Sequence, residues 1–192
     1  MAVPSSGALN DQPDNTQFLS PLGFNFMIKK LPNTNYFVQS VNVPSVQATD
    51  VVVPTPFTNI PTIGDRLNYS EFQLSFKVDE DMTNYIELYD WLLQLHFPED
   101  FAQSKNIYQK QNNVDFLQDG PYSDATLTVL NSAMNPNREV IFEDCYPIAL
   151  SDLQFSTTAA SVDYIECQAT FRYRMFRILN MRGEDTQSTN IR

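Results

Sequence analysis

The sequence predicts an all-β or β-rich α+β domain, and three observations carry that expectation. Apolar and polar residues alternate with period two in short stretches such as FNFMI, EFQLSFKV and ATLTVL, as half-buried strands do. One stretch, ending near residue 97, instead spaces its apolar residues by three and four, the period of a helix. The order is therefore strands, one central helix and more strands, with no internal repeat. The 192 residues suit one domain with a sizeable core, and 42% apolar with 12% aromatic side chains argues against a disordered chain.

Residues 1–20 are polar, carry Pro4, Gly7 and Pro13, and read as a flexible arm ahead of a domain over 21–181. Phe24, Phe26 and Ile28 alternate with Asn25, Met27 and Lys29 in a first strand. A turn at Leu31-Pro32-Asn33 leads to a second strand over Tyr36–Val41, and the two are expected to form a hairpin. From Val43 to Gly64 the chain holds Pro44, Pro54, Pro56 and Pro61. Proline cannot donate to a ladder, so 43–66 reads as an extended, edge-type arm. Its Val51, Val52, Val53, Phe57 and Ile60 must lie against something, either the domain's own core or another subunit.

Leu67–Val78 is the clearest strand, with Phe72, Leu74, Phe76 and Val78 on one face. Asp79-Glu80-Asp81 then precedes a helix over 81–97. Its apolar stripe is Met82, Ile86, Tyr89 and Leu93, with Tyr85, Leu88, Trp91, Leu92 and Leu95. Pro98 ends it, and 98–121 is a polar loop. Strands resume over 125–130, and Glu139–Cys145 pairs back after a turn. Another strand follows near Ile148–Leu150. A long last strand over Tyr164–Ile178 puts Ile165, Cys167, Ala169, Phe171, Tyr173 and Met175 on one face. Glu166, Gln168, Thr170, Arg172, Arg174 and Phe176 take the other. Residues 182–192 form a polar tail.

Twenty-three acidic against 12 basic residues give a net charge of −11. Sequence-blind nucleic-acid binding relies on basic groups displacing counterions, so this balance speaks against it. It leaves open a surface that keeps nucleic acid from sticking. The N-terminus has no basic and apolar signal pattern, no run is long enough to span a bilayer, and two cysteines are too few for a disulfide framework. Reduced thiols in a cytoplasm are the expectation.

Catalytic constellations are scarce. His96, the one histidine, sits where a cation suits a helix C-terminus, and a nucleophilic pair with Cys145 or Cys167 is the weaker reading. Asp79-Glu80-Asp81 lacks the glycine and downstream glutamate of a calcium loop and fits helix capping better. No phosphate-cradling loop or hydrolase motif occurs. The expectation is no enzyme, no metal and no cofactor. Charges segregate: seven acids and no cation lie between Lys77 and Lys105, while Arg172, Arg174, Arg177 and Arg182 cluster near the end. These groups either pair, within or between subunits, or form two solvated faces.

Over roughly residues 22–178 the chain resembles the tail tube proteins of contractile-tailed bacteriophages of the T-even type. LGFNFMI, VNVPSV and VPTPFTNIPTIGDR look like the family's opening strands and arm, which ends at Gly64-Asp65-Arg66. EFQLSFKV, the acidic turn and YIELYDW follow in the family's order, and ATFRYRMF is the most specific piece. The resemblance implies two packed antiparallel sheets forming a sandwich or barrel with one flanking helix. It also implies hexameric rings whose inner sheets join into one barrel, stacked as a tube inside a contractile sheath. The partners would be further copies of the chain, sheath, baseplate and tail terminator proteins, with genomic DNA passing unbound. The location would be the virion tail, assembled in the host cytoplasm. Val51, Val52, Val53, Phe57 and Ile60 would carry assembly, with Gly64, Asp65 and Arg66 at the arm's root. Strand alternation puts Glu71, Glu139 and Glu166 forward as lumen-facing. Other readings are a tube-to-baseplate adaptor, a secretion-system tube protein, or a β-sandwich glycan-binding module stacking sugars on Tyr108 and Tyr122.

Overall fold

A computed structural model describes residues 16–96, 120–157 and 164–180. The expected loop (apart from Gly120 and Pro121), the polar tail, most of the N-terminal arm, Tyr108 and Arg182 lie outside the described residues. In chain order the elements are β1 (Phe24–Ile28), α1 (Pro32–Tyr36), β2 (Val38–Val41), β3 (Val46–Pro54), β4 (Asn59–Tyr69) and β5 (Phe72–Lys77). Then come α2 (Thr83–His96), β6 (Ser123–Leu130), β7 (Pro136–Leu150), β8 (Glu166–Arg172) and β9 (Met175–Asn180).

Strand β7 belongs to two antiparallel layers. Its first half, Arg138–Glu143, lies between β6 and β9, and Tyr146–Leu150 pairs with β8. Between them Asp144 takes a positive φ of 53°, the bend that lets one strand change layers. The layers run β1-β6-β7-β9 and β7-β8-β5-β2, and they do not close into a barrel. Among the described residues, strands β3 and β4 pair only with each other.

The core lies between the layers and centres on Phe72. Its ring stacks on Phe171 at 4.9 Å and 7°, leans on Phe142 at 4.8 Å, and meets Phe26 edge-on at 6.1 Å. Aromatic pairs of this kind add about 0.5–1.5 kcal/mol beyond the area they bury. Helix α2 covers one side, with Leu88 and Trp91 buried. Trp91 lies 6.2 Å from Phe171 and donates its indole N–H to the Pro121 carbonyl at 3.1 Å.

The mainly β class holds, and several local expectations do not. The first two strands are not a hairpin: β1 pairs with β6 and β2 with β5. Between them Pro32 opens a short helix, and the Asn35 side chain both accepts from the Ile28 N–H and donates to its carbonyl, each at 2.9 Å. A side chain thus occupies the ladder position at Ile28 that a second strand would have filled. The Leu67–Val78 strand is two strands, split at Ser70-Glu71. Glu139–Cys145 and Ile148–Leu150 are one strand that carries Pro147 in its interior.

The long last strand breaks at Tyr173-Arg174, where the Arg174 N–H donates to the Glu143 carbonyl at 2.9 Å. Alternation restarts beyond the break, so Phe176 turns inward and Met175 outward, the reverse of expectation. In α2 the acids of 79–81 lie in a preceding turn and the first helical turn holds none. Buried Asn84 ties the helix start to β5 instead, donating to the Lys77 carbonyl at 2.7 Å. Ile86 and Tyr89 of the expected apolar stripe face outward, both 48% exposed.

Candidate assembly surface

Residues 46–69 form a β-hairpin rather than an extended arm, and none of its residues is buried. Val53 faces Ile60 and Val51 faces Thr62 across the ladder, while Val52 faces Pro61. Successive residues point to opposite sides of a strand, so Val51 and Val53 lie on one face and Val52 on the other. The three consecutive valines therefore make both faces apolar. Phe57, at the tip, is 98% exposed, and Ile63 is 95% exposed. The prolines sit where the ladder tolerates them, Pro54 and Pro61 in a two-stranded unit that is all edge, and Pro56 in the tip. None of the hairpin's residues joins the core formed by the described residues.

Gly64, Asp65 and Arg66 stand at mid-hairpin, not at the root. The register jumps there from Ala48↔Leu67 to Asp50↔Ile63, leaving these three opposite Thr49. A β-carbon on Gly64 would lie 2.4 Å from the Thr49 carbonyl oxygen, so only glycine fits. The Thr49 hydroxyl holds the bulge by accepting from the Arg66 N–H at 3.3 Å and donating to the Arg66 carbonyl at 3.2 Å.

The true root is Ser45 and Ser70, whose hydroxyls meet at 2.7 Å and whose backbones pair at 3.0 Å. Tyr69 stacks edge-on against Tyr173 and Phe176 at 6.1 and 5.7 Å, and the Tyr173 hydroxyl donates to the Ser70 carbonyl at 2.8 Å. Burial, with the neighbouring Tyr69 phenol adding to it, pushes the Tyr173 phenol up to about 12, so it stays a donor. Sequence reasoning missed Tyr69 and Tyr173 because their contact spans two strands a hundred residues apart.

The three expected lumen acids do not share a face. Glu71 and Glu166 lie on the outward face of β5–β8, Glu71 half-exposed and taking both Nε and Nη2 of Arg172 at 3.0 and 2.8 Å. Glu139 lies on the outward face of the other layer, between Thr128 and Leu179. Of the arginine cluster, Arg172, Arg174 and Arg177 are paired within the subunit, with Glu71 just before β5 and with acids of β7 rather than with the helix. Arg174 pairs with Glu143 and Asp144, and Arg177 with Glu143 at 2.9 Å. The Glu143 hydrogen bond, with the nearby Asp144 and Glu143 charges, raises the Arg174 guanidinium further.

The thiols and His96 do not form a nucleophilic pair. Cys145 is buried and donates to the Ser123 carbonyl at 2.7 Å, and burial pushes its thiol up to about 12. Burial also raises Cys167, which faces the core as expected. His96 is exposed at the end of α2, with Nδ1 3.1 Å from the Leu92 carbonyl. Among the described residues no group of three His, Cys, Asp or Glu side chains could hold a metal ion.

The phage tail tube protein family matches residues 15–179. Among solved structures, the fold resembles a chain of the sheath–tube complex of an extracellular contractile injection system in its extended state. That likeness has a TM-score of 0.58 and 14% identity, and covers 93% of this chain and 100% of the other. A chain of the sheath/tube terminator of the same system gives 0.57 and 14%, over 86% and 99%. The tube-terminating cap of the anti-feeding prophage gives 0.55 and 13%, over 89% and 97%. No curated protein sequence matches the chain.

Proposed function

The chain belongs to the phage tail tube protein family, and from that premise we propose that it assembles as stacked hexameric rings into the inner tube of a contractile phage tail. The tube is the conduit for DNA ejection, and its partners are the sheath, baseplate and tail terminator proteins. It is built in the host cytoplasm and resides in the virion tail.

The observation that supports this reading most is the β3–β4 hairpin. An isolated two-stranded unit is marginal in water, and this one has apolar side chains on both faces with no layer of the described residues behind either. A neighbouring copy on each face supplies what is missing. The open edges at β1, β2 and β9 fit the same picture, since strand pairing across subunits removes edges that invite uncontrolled association. Both interfaces are heterologous, and such contacts generate rings when the rotation closes and stacks when it does not.

Electron microscopy of the purified protein is the direct test. Rings and tubes are expected. Rings that never stack would move the role to a tube end, such as the baseplate adaptor, and a dispersed monomer under all assembly conditions would remove the proposal.

A further inference from the structure

The outward face of the β5–β8 pair differs in chemistry from that of the β1-β6-β7-β9 layer, while β7 beside β8 adds Tyr146 and Ala149 at its margin. On β1-β6-β7-β9 the outward rows include Met27, which is 50% exposed, together with Ile141 and Leu179 beside Glu139 and Arg177. On β5 and β8 the outward positions carry no apolar side chain. Gln73 pairs with Thr170 and Ser75 with Gln168 at the centre, and the Gln168 amide donates to the Gln73 side-chain oxygen at 3.0 Å. The only charges on these two strands' outward face stand at its ends, each cation beside an acid. Arg172 is held by Glu71 at 2.8 Å, and Lys77 lies directly across the ladder from Glu166, its ammonium 4.7 Å from the Tyr164 ring centre.

We propose that the outward face of β5–β8 is the wall that cargo slides along, and that Glu71 and Glu166 act there as covers for Arg172 and Lys77. This rests on the tube reading above. A mixed apolar and charged face suits contact with protein, whereas a face of amides, hydroxyls and cancelled charges suits contact with water and a passing polymer. Affinity for a phosphate backbone comes from cations that displace its counterions. Arg172 is already bound to a carboxylate and Lys77 faces one across the ladder, so a polyanion gains little counterion release by stopping. In this account the acids do not repel DNA through an excess of negative charge. They keep two cations per subunit from holding it.

The charge part is read with a fluorescein-labelled double-stranded oligonucleotide, by anisotropy on dispersed subunits and by co-sedimentation with tubes. Wild-type protein is expected to leave the probe free at low salt. Glu71→Gln with Glu166→Gln is expected to bind it at least about tenfold more tightly, with binding lost as salt rises. Adding Arg172→Gln and Lys77→Gln should abolish that gain. Glu80→Gln with Asp81→Asn, the same charge change on the turn before α2, should produce none. Equal binding by wild type and the double variant, by the turn control and the double variant, or by the quadruple and double variants overturns the proposal. Circular dichroism checks that each variant is folded.

Placement is read in tubes of Ser75→Cys, with the native thiols buried. The new thiol should react with a small maleimide but not with one carried on an antibody, while dispersed subunits react with both. Reaction with the antibody conjugate in tubes overturns the placement. Failure to form tubes or rings strikes the tube reading instead and leaves the anisotropy result standing.

Discussion

Strands β3–β4 and β5–β8 are both antiparallel ladders, of eight and six register pairs, yet their side chains meet opposite fates. In β5–β8, Phe72, Leu74 and Phe76 pair with Phe171, Ala169 and Cys167, all buried. In β3–β4 nothing is buried. Both pair as antiparallel ladders, apart from the bulge opposite Thr49, so the difference lies in what stands behind each face. Strand β5 alternates FQLSFK and needs one apolar layer, which the chain provides. Strand β3 reads VVV toward its tip and needs two, which the described residues do not provide. A ladder that folding leaves open on both faces is available for assembly.

The comparison breaks most visibly in the core. Phe72→Ala removes the ring that Phe26, Phe142 and Phe171 pack against, and should cost about 3–5 kcal/mol in urea unfolding. Val52→Glu with Ile60→Glu, one charge on each hairpin face, should change subunit stability by less than about 0.5 kcal/mol while abolishing stacking in micrographs. Normal tubes from that double variant would show that the hairpin is not the assembly surface.

Gly64→Ala sharpens the contrast within the hairpin itself. The new β-carbon meets the Thr49 carbonyl at 2.4 Å, and overpacking of this kind costs about 1–3 kcal/mol. Hydrogen exchange over 46–69 should accelerate while the core amides keep their protection. Arg177→Gln removes a half-exposed pair with Glu143 and should lower stability by about 1 kcal/mol or less.

A pH series tests burial at Cys145. Burial raises the Cys145 thiol from 9.0 to about 12, so the folded state favours the neutral form. That contribution is complete below 9.0 and is lost as pH rises from there toward 12. Native protein at pH 9 should resist iodoacetamide at Cys145, and the same reagent should modify it promptly in urea.

Much of this was legible residue by residue. The alternation of Phe72, Leu74 and Phe76 and the inward set Cys167, Ala169 and Phe171 were readable, because each follows from a local period; the run from Val51 to Ile60 was readable as apolar, but its exposure was not. The hairpin of β3 and β4 was not, because its three prolines look like ladder breakers until the unit is known to be all edge. Glycine at 64 was visible, but its reason, the Thr49 carbonyl across the bulge, was not. The charge pattern left open whether the acidic helix and the basic strand end pair, and the arginines instead meet Glu71, just before β5, and acids of β7 that only the strand order brings beside them.

The sequence by itself determined the β-rich class, the one long helix, and which segments have an apolar face, because side-chain period is a property of a few consecutive residues. Only the tertiary structure decided where strands break and which faces stay open. The bend at Asp144 sends β7 through two layers, and the break at Tyr173-Arg174 reverses the face of Phe176. These depend on ladder partners far away in the chain, and a change of one residue in register moves every side chain beyond it to the other face.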